Sequence, residues 1–137
     1  MRKLATAAVV AGLFLGGAGA AVADSWRAIP SVKSDGVRLS GAYLWEPRGQ
    51  NHGGFHFKVT LEDTLAGDGH NVYVQAKVEG YGWNRFNGVQ RKNVQIDKIV
   101  YDGAAQTTGE AWIRACRDRG SLRPDNCTVT QEYRRER

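Results

Sequence analysis

Apolar and polar positions alternate along several stretches of the chain. Phe55, Phe57, Val59 and Leu61 alternate with His56, Lys58, Thr60 and Glu62. Val72, Val74, Ala76 and Val78 alternate with Tyr73, Gln75, Lys77 and Glu79, and Val37, Leu39, Tyr43 and Trp45 alternate less strictly with Arg38, Ser40 and Glu46. A period of two places one set of side chains on a core and the other in water, which is the pattern of a half-buried strand. Val94 and Ile96 continue it, but Ile99 and Tyr101 fall on the opposite phase, which predicts a bulge near Asp97–Lys98. Residues 108–116 and 127–133 complete six predicted strands. Turn signals separate them: Pro47-Arg48-Gly49, Gly67-Asp68-Gly69, Asn87-Gly88 and Asp102-Gly103. Beyond residue 23 no apolar residues recur at helical spacing. The pattern predicts an all-β fold, a small antiparallel β-sandwich of about six to eight strands or a small barrel, of which the sandwich is expected.

The first 23 residues read as a secretory signal peptide. Met1-Arg2-Lys3 is basic, Leu4 to Ala21 is apolar and small, and Ala21-Val22-Ala23 matches an A-x-A cleavage site. The remaining 114 residues are one domain's worth of chain, enough to bury a core. No later segment approaches the ~20 apolar residues of a membrane span. The expected localisation is secreted, with no membrane partner. Residues 36–137 are expected to form the sandwich domain. Residues 24–35 stand apart: Pro30 bars them from a central strand, yet Trp26, Ile29 and Val32 are too apolar for an idle tail. This segment is either an edge strand folded back on the sandwich or an extended arm that docks on a partner.

Charge refines the picture. The formal net charge is +5, but Arg2 and Lys3 supply two of these charges, so residues 24–137 carry +3. That excess lies wholly in 114–137, where seven arginines and no lysine face four acids. With acids interleaved, the stretch suits a solvated surface or an acidic protein partner better than a phosphate track, and no nucleic acid is expected to bind. Arginine in particular makes forked contacts to carboxylates and stacks on aromatic rings.

Cys116 and Cys127 are the only cysteines, and an even count in an exported small domain predicts one disulfide between them. The charged, turn-rich residues between them suggest a hairpin, which the bridge would staple across two neighbouring strands. Closing so short a loop stabilises by about 2.5–3 kcal/mol in the chain-entropy view. A metal or redox pair is disfavoured, because the spacing is not C-x-x-C and no further ligand is near.

Candidate chemistry is sparse. His52 and His56 lie too far apart along a strand to share a metal, and the three histidines, His70 included, read as exposed structural residues, so no metal and no cofactor is expected. The acidic hairpin Glu62–Gly69 offers three carboxylates but lacks the ligand spacing of a calcium loop. Glu110, His56 and Arg114 are residue types a small ribonuclease uses, without a spacing that identifies one. No G-x-S-x-G or H-E-x-x-H motif occurs. The reading is therefore non-enzymatic. The loop Gly80–Gly88 carries Tyr81, Trp83, Arg85 and Phe86, side chains that binding hot spots favour; the alternative is that Trp83 and Phe86 turn inward and cap the sandwich. The partner-binding candidates are therefore Trp26, Ile29, Val32, Tyr81, Trp83, Arg85 and Phe86.

The Ala- and Gly-rich leader, the arginine-heavy usage and the small all-β body resemble the small exported proteins of filamentous soil actinobacteria. Among these, the chain is similar in layout to the adapter subunit of umbrella toxin particles. The resemblance implies that the N-terminal arm docks on a repeat-containing toxin subunit while the body carries a lectin subunit. It is one of layout, and no site residue is carried over from it. Together these observations lead to the expectation of a secreted, non-catalytic protein-binding module, which the resemblance implies is an adapter within an extracellular antibacterial toxin complex. Its partner would be another secreted protein or toxin subunit, or a lectin or glycan. The alternatives are a carbohydrate-binding module using Tyr81 and Trp83, a secreted enzyme inhibitor inserting the Cys116–Cys127 loop, and a small ribonuclease.

Overall fold

A computed structural model describes residues 25–136. The predicted leader, residues 1–23, lies outside them. Nine strands are present among the described residues: β1 (Arg27–Ser34), β2 (Val37–Trp45), β3 (Phe55–Asp63), β4 (Val72–Val78), β5 (Asn84–Asn87), β6 (Asn93–Val100), β7 (Glu110–Arg117), β8 (Asn126–Cys127) and β9 (Gln131–Arg134). They form two antiparallel sheets. The first runs β1-β2-β3-β6; the second runs β5-β4-β7, with β8 and β9 pairing one after the other along β7.

The alternation seen in the sequence is the alternation of burial. Phe55, Phe57, Val59 and Leu61 of β3 face Val72, Val74, Ala76 and Val78 of β4 in one core, joined by Leu39 and Tyr43 of β2 and Ala111, Ile113 and Ala115 of β7. The sheets are keyed by rings. Tyr133 of β9 lies 4.3 Å from Tyr43 and 5.8 Å from Phe55, and Phe86 of β5 lies 5.7 Å from Phe57. Asp63 continues the inward phase of β3 and is buried. Its two oxygens accept the Leu65 amide at 3.2 Å and the Arg91 amide at 2.9 Å, so it fastens two loops.

One alternative is decided and two expectations change. Residues 27–34 are β1, paired with β2 from Arg27↔Tyr43 to Ser34↔Val37, so the segment is an edge strand of the sandwich. Pro30 is tolerated because β1 is an edge, and a register shift between Ile29 and Val32 accommodates the irregularity. No bulge occurs at Asp97–Lys98. The pairing of β3 with β6 runs uninterrupted from Phe55↔Val100 to Glu62↔Asn93. Lys98 takes an inward-phase position and escapes to solvent because β6 is an edge, where an inward charge also discourages pairing with another chain. The expected strand 127–133 is two strands. Between them the register on β7 slips by one residue, and Thr128 replaces the ladder: its amide donates to the Ala115 carbonyl at 2.8 Å and its Oγ1 accepts the Ala115 amide at 3.1 Å. The slip turns Tyr133 into the core.

Candidate functional site

The outward face of the second sheet is built from the residues that alternate with its core positions. Tyr73–Cys116, Gln75–Arg114 and Lys77–Trp112 are cross-strand pairs between β4 and β7, and Arg85 of β5 lies beside Gln75. Two features stand at opposite ends of this face.

At one end is the hairpin that joins β7 to β8. Cys116 and Cys127 are direct cross-strand partners and form the predicted disulfide, with their Cα atoms 4.0 Å apart. Two carboxylates brace the loop. Asp118 pairs with the Arg85 guanidinium at 2.9 Å and accepts the Gly120 amide at 2.9 Å. Arg85 and then the Gly120 amide hold its carboxyl below the usual range. Asp125 accepts the Tyr73 hydroxyl and, at 3.0 Å, the Arg119 amide. Arg85 itself lies 3.7 Å over the Tyr73 ring. Asn126 reaches across to the first sheet, donating to Ser34 Oγ at 3.0 Å and to the Asp35 carbonyl at 2.7 Å. Ser121, Leu122, Arg123 and Pro124 are left exposed at the tip. Leu122 is 95% exposed, the most exposed large apolar side chain among the described residues.

At the other end, Trp83 rests against two cations. Lys77 Nζ lies 4.7 Å from the Trp83 ring and 5.3 Å from the Trp112 ring, and the Arg114 guanidinium lies 4.4 Å from Trp83. Arg114 Nε also donates to Gln75 Oε1 at 2.9 Å.

The predicted site residues separate. Ile29, 2% exposed, belongs to the core, and Val32 packs against it, so neither is offered to a partner in this state. Trp26, 41% exposed, lies on the outward face of the first sheet, 4.9 Å from the His56 ring with Lys58 Nζ 4.8 Å above its own ring. Of the aromatic loop, Phe86 turns inward and Trp83 outward. Exposed Tyr81 donates its hydroxyl to Asp102 Oδ1 at 3.0 Å. The Arg-rich C-terminal segment is largely spent internally. Arg117 pairs with Asp68, Arg134 with Glu110 and Glu132, and Arg135 donates to the carbonyls of Gly53 and Glu46. Arg119 and Arg123 stand on the hairpin with no ion pair among the described residues.

His56 lies between Glu46 Oε2 at 3.0 Å and Asp97 Oδ1 on the outward side of the first sheet. Glu110 and Arg114 are on β7 of the second, so the ribonuclease trio is not assembled in one place. His52 is stacked on Tyr101 and donates from Nδ1 to the Ala105 carbonyl at 2.8 Å. The three carboxylates of the acidic hairpin go to different partners: Glu62 to Arg38, Asp63 to two amides, and Asp68 to Arg117 and the His70 amide. Leu122, Lys77 and Trp112 escaped the sequence reading. The available signal was a tryptophan and two cations on the outward phase of strands whose other phase is Val and Ala.

Comparison of the chain with protein-family models, with curated proteins and with solved structures finds no match.

The hydroxyls of Tyr73 and Tyr133 give a pH signature. Burial first, then the hydrogen bond to Asp125, pushes Tyr73 up to about 12; burial first, then Tyr43, pushes Tyr133 up to about 12. Both values are raised above the ordinary phenol near 10. The fold therefore favours the neutral form, and the stability this represents is intact below about pH 10 and lost as pH rises towards 12. A near-ultraviolet titration should show Tyr73 and Tyr133 ionising late, together with unfolding, and Tyr73→Phe should remove one late ionisation. Ordinary ionisation of both would contradict this placement.

Proposed function

We propose that this protein is a secreted, non-catalytic module that binds another secreted protein through the β7–β8 hairpin. One observation carries the reading: the most exposed large apolar side chain among the described residues, Leu122, stands on a loop held by a disulfide and by Asp118, Asp125 and Asn126. A scattered exposed leucine is ordinary on any surface. A leucine on a loop braced at both shoulders has little ordering entropy left to lose on binding, which is what an interface anchor needs. Arg119 and Arg123 beside it suit a partner whose apolar pocket has an acidic rim.

An adapter in an extracellular antibacterial toxin complex is the assembly that the layout resemblance implies, and a secreted-enzyme inhibitor is the same reading with a hydrolase as partner. In either case the contact would not run through Ile29, which the sandwich needs for its own core.

The test is affinity capture from the culture medium of the producing organism with three baits: wild type, Leu122→Asp and Trp26→Ala. A partner should be retained by wild type and by Trp26→Ala. Leu122→Asp should weaken its binding at least ~30-fold, the effect of a hot spot worth about 2 kcal/mol. Equal retention by wild type and Leu122→Asp would reject the hairpin as the contact.

A further inference from the structure

The opposite end of the same face carries a second site, which does not depend on the protein-binding reading. Lys77 lies four residues along β4 from Tyr73, about 13 Å from the hairpin end. Here two like charges, Lys77 and Arg114, are gathered against one indole, and neither has a carboxylate within ion-pair distance among the described residues. Every other strand arginine among the described residues pairs with a carboxylate: Arg27 with Glu136, Arg38 with Glu62, Arg85 with Asp118, Arg117 with Asp68 and Arg134 with Glu110. The ring faces relieve part of the repulsion, and a bound anion would relieve the rest.

We propose that Trp83, Trp112, Lys77 and Arg114 form a binding site for an acidic polysaccharide, a chain of uronate sugars. The C–H face of a pyranose ring carries slight positive charge and stacks on the negative face of an indole. A uronate adds one carboxylate per ring, which Arg114 can take in its planar fork and Lys77 as a point charge. An acidic peptide is the poorer fit. β4 and β7 are both interior strands with neighbours on each side, so neither is a free sheet edge to which an extended peptide would add. A nucleic acid is poorer still. A phosphate track needs a row of cations, whereas this site holds two, and Glu132, paired across from Trp112, interrupts any row along the sheet.

The probes are alginate and polygalacturonate, with dextran and oligo(dT) for comparison, read by calorimetry and by tryptophan fluorescence. Because the protein is basic, the site variant Lys77→Gln/Arg114→Gln is compared with a charge-matched variant, Lys33→Gln/Lys92→Gln, whose lysines lie elsewhere on the surface. Thermal unfolding of each variant confirms the fold. The expected result is binding of both uronate polymers with a change in tryptophan emission. Affinity should fall at least tenfold in the site variant and in Trp83→Ala, and less than threefold in the charge-matched variant. Failure of both uronate polymers to bind would overturn the proposal. So would an equal loss in the two double variants, or oligo(dT) or a polyglutamate peptide binding as tightly as alginate.

Discussion

Gly41→Ala should be among the most damaging single substitutions in this chain. Gly41 lies in the middle of β2, with Ile29 of β1 on one side and Val59 of β3 on the other. A Cβ built there would stand 2.2 Å from the Lys58 carbonyl oxygen and 2.6 Å from the Val59 Cα. Both are backbone atoms of a paired strand, so they cannot yield by changing rotamer as a side-chain end would. Relief requires β2 and β3 to move apart, which breaks the ladder at the centre of the first sheet. The expected cost is at or above ~3 kcal/mol, the upper end for overpacking, or a fall in melting temperature of roughly 10 °C or more for a domain of this size. Gly67→Ala is the control, because nothing lies within 4 Å of its added Cβ. It should change the melting temperature by no more than a couple of degrees, in line with about 0.5 kcal/mol for a neutral surface site. A Gly41→Ala protein that melts like wild type would mean that β2 and β3 are not paired in this register.

The second large effect is expected from a chain that starts at Asp35. It loses β1 entirely, and with it Ile29 from the core and the Ser34 hydroxyl that holds Asn126. Truncating one buried isoleucine alone costs about 2–5 kcal/mol. Removing the strand also uncovers the edge of β2. Unfolding by heat or denaturant should show a loss of at least ~3 kcal/mol. Trp26→Ala should cost far less, within about 1 kcal/mol, because the ring lies half-exposed on the surface over His56 and Lys58. A truncated chain with an unchanged melting temperature would show that the segment is a free arm after all. The adapter likeness would then regain its docking element.

The two pairs of variants address different questions. Gly41 and β1 concern the scaffold, whereas Leu122 and the Lys77–Arg114 pair concern what the scaffold presents. Loss of capture in Leu122→Asp with an unchanged melting temperature separates recognition from folding.

How far the sequence alone reaches can be judged strand by strand. β3 and β4 were legible because each has one face on the core and the other in water, so burial writes a period of two directly into the residues. β2 and β7 follow the same logic. The disulfide was legible because a lone pair of cysteines in a short domain leaves one intrachain choice, and the turn-rich residues between them could only be a hairpin. β5 was hidden because four residues, of which only Phe86 points inward, hold too little pattern to register. In β6, an edge position lets Lys98 occupy an inward-phase site, and the sequence then reads as a bulge that is not there. In β1, a proline and a shift of register break the alternation. Whether Ile29 fills this protein's own core or a partner's depends on which strand β1 pairs with, and the local pattern does not record that.

The functional face divides in the same way. Sequence could say that Trp83, Arg85 and Phe86 are unusual for a loop. It could not say that Phe86 would meet Phe57 while Trp83 met Arg114, because those contacts join residues that lie far apart in the chain. Nor could it separate Arg117, Arg134 and Arg135, whose guanidinium groups go to carboxylates or backbone carbonyls of the fold, from Arg119 and Arg123, which have no ion pair among the described residues, and Arg114, which turns to Gln75 and the Trp83 ring. By itself the sequence determined the all-β class, the strands with one buried face and the hairpin's staple, because burial periodicity and cysteine pairing act locally. Only the tertiary structure decided the fate of the edge strands and which cations and rings were left for a partner, because pairing and charge neutralisation depend on who becomes a neighbour across the sheets.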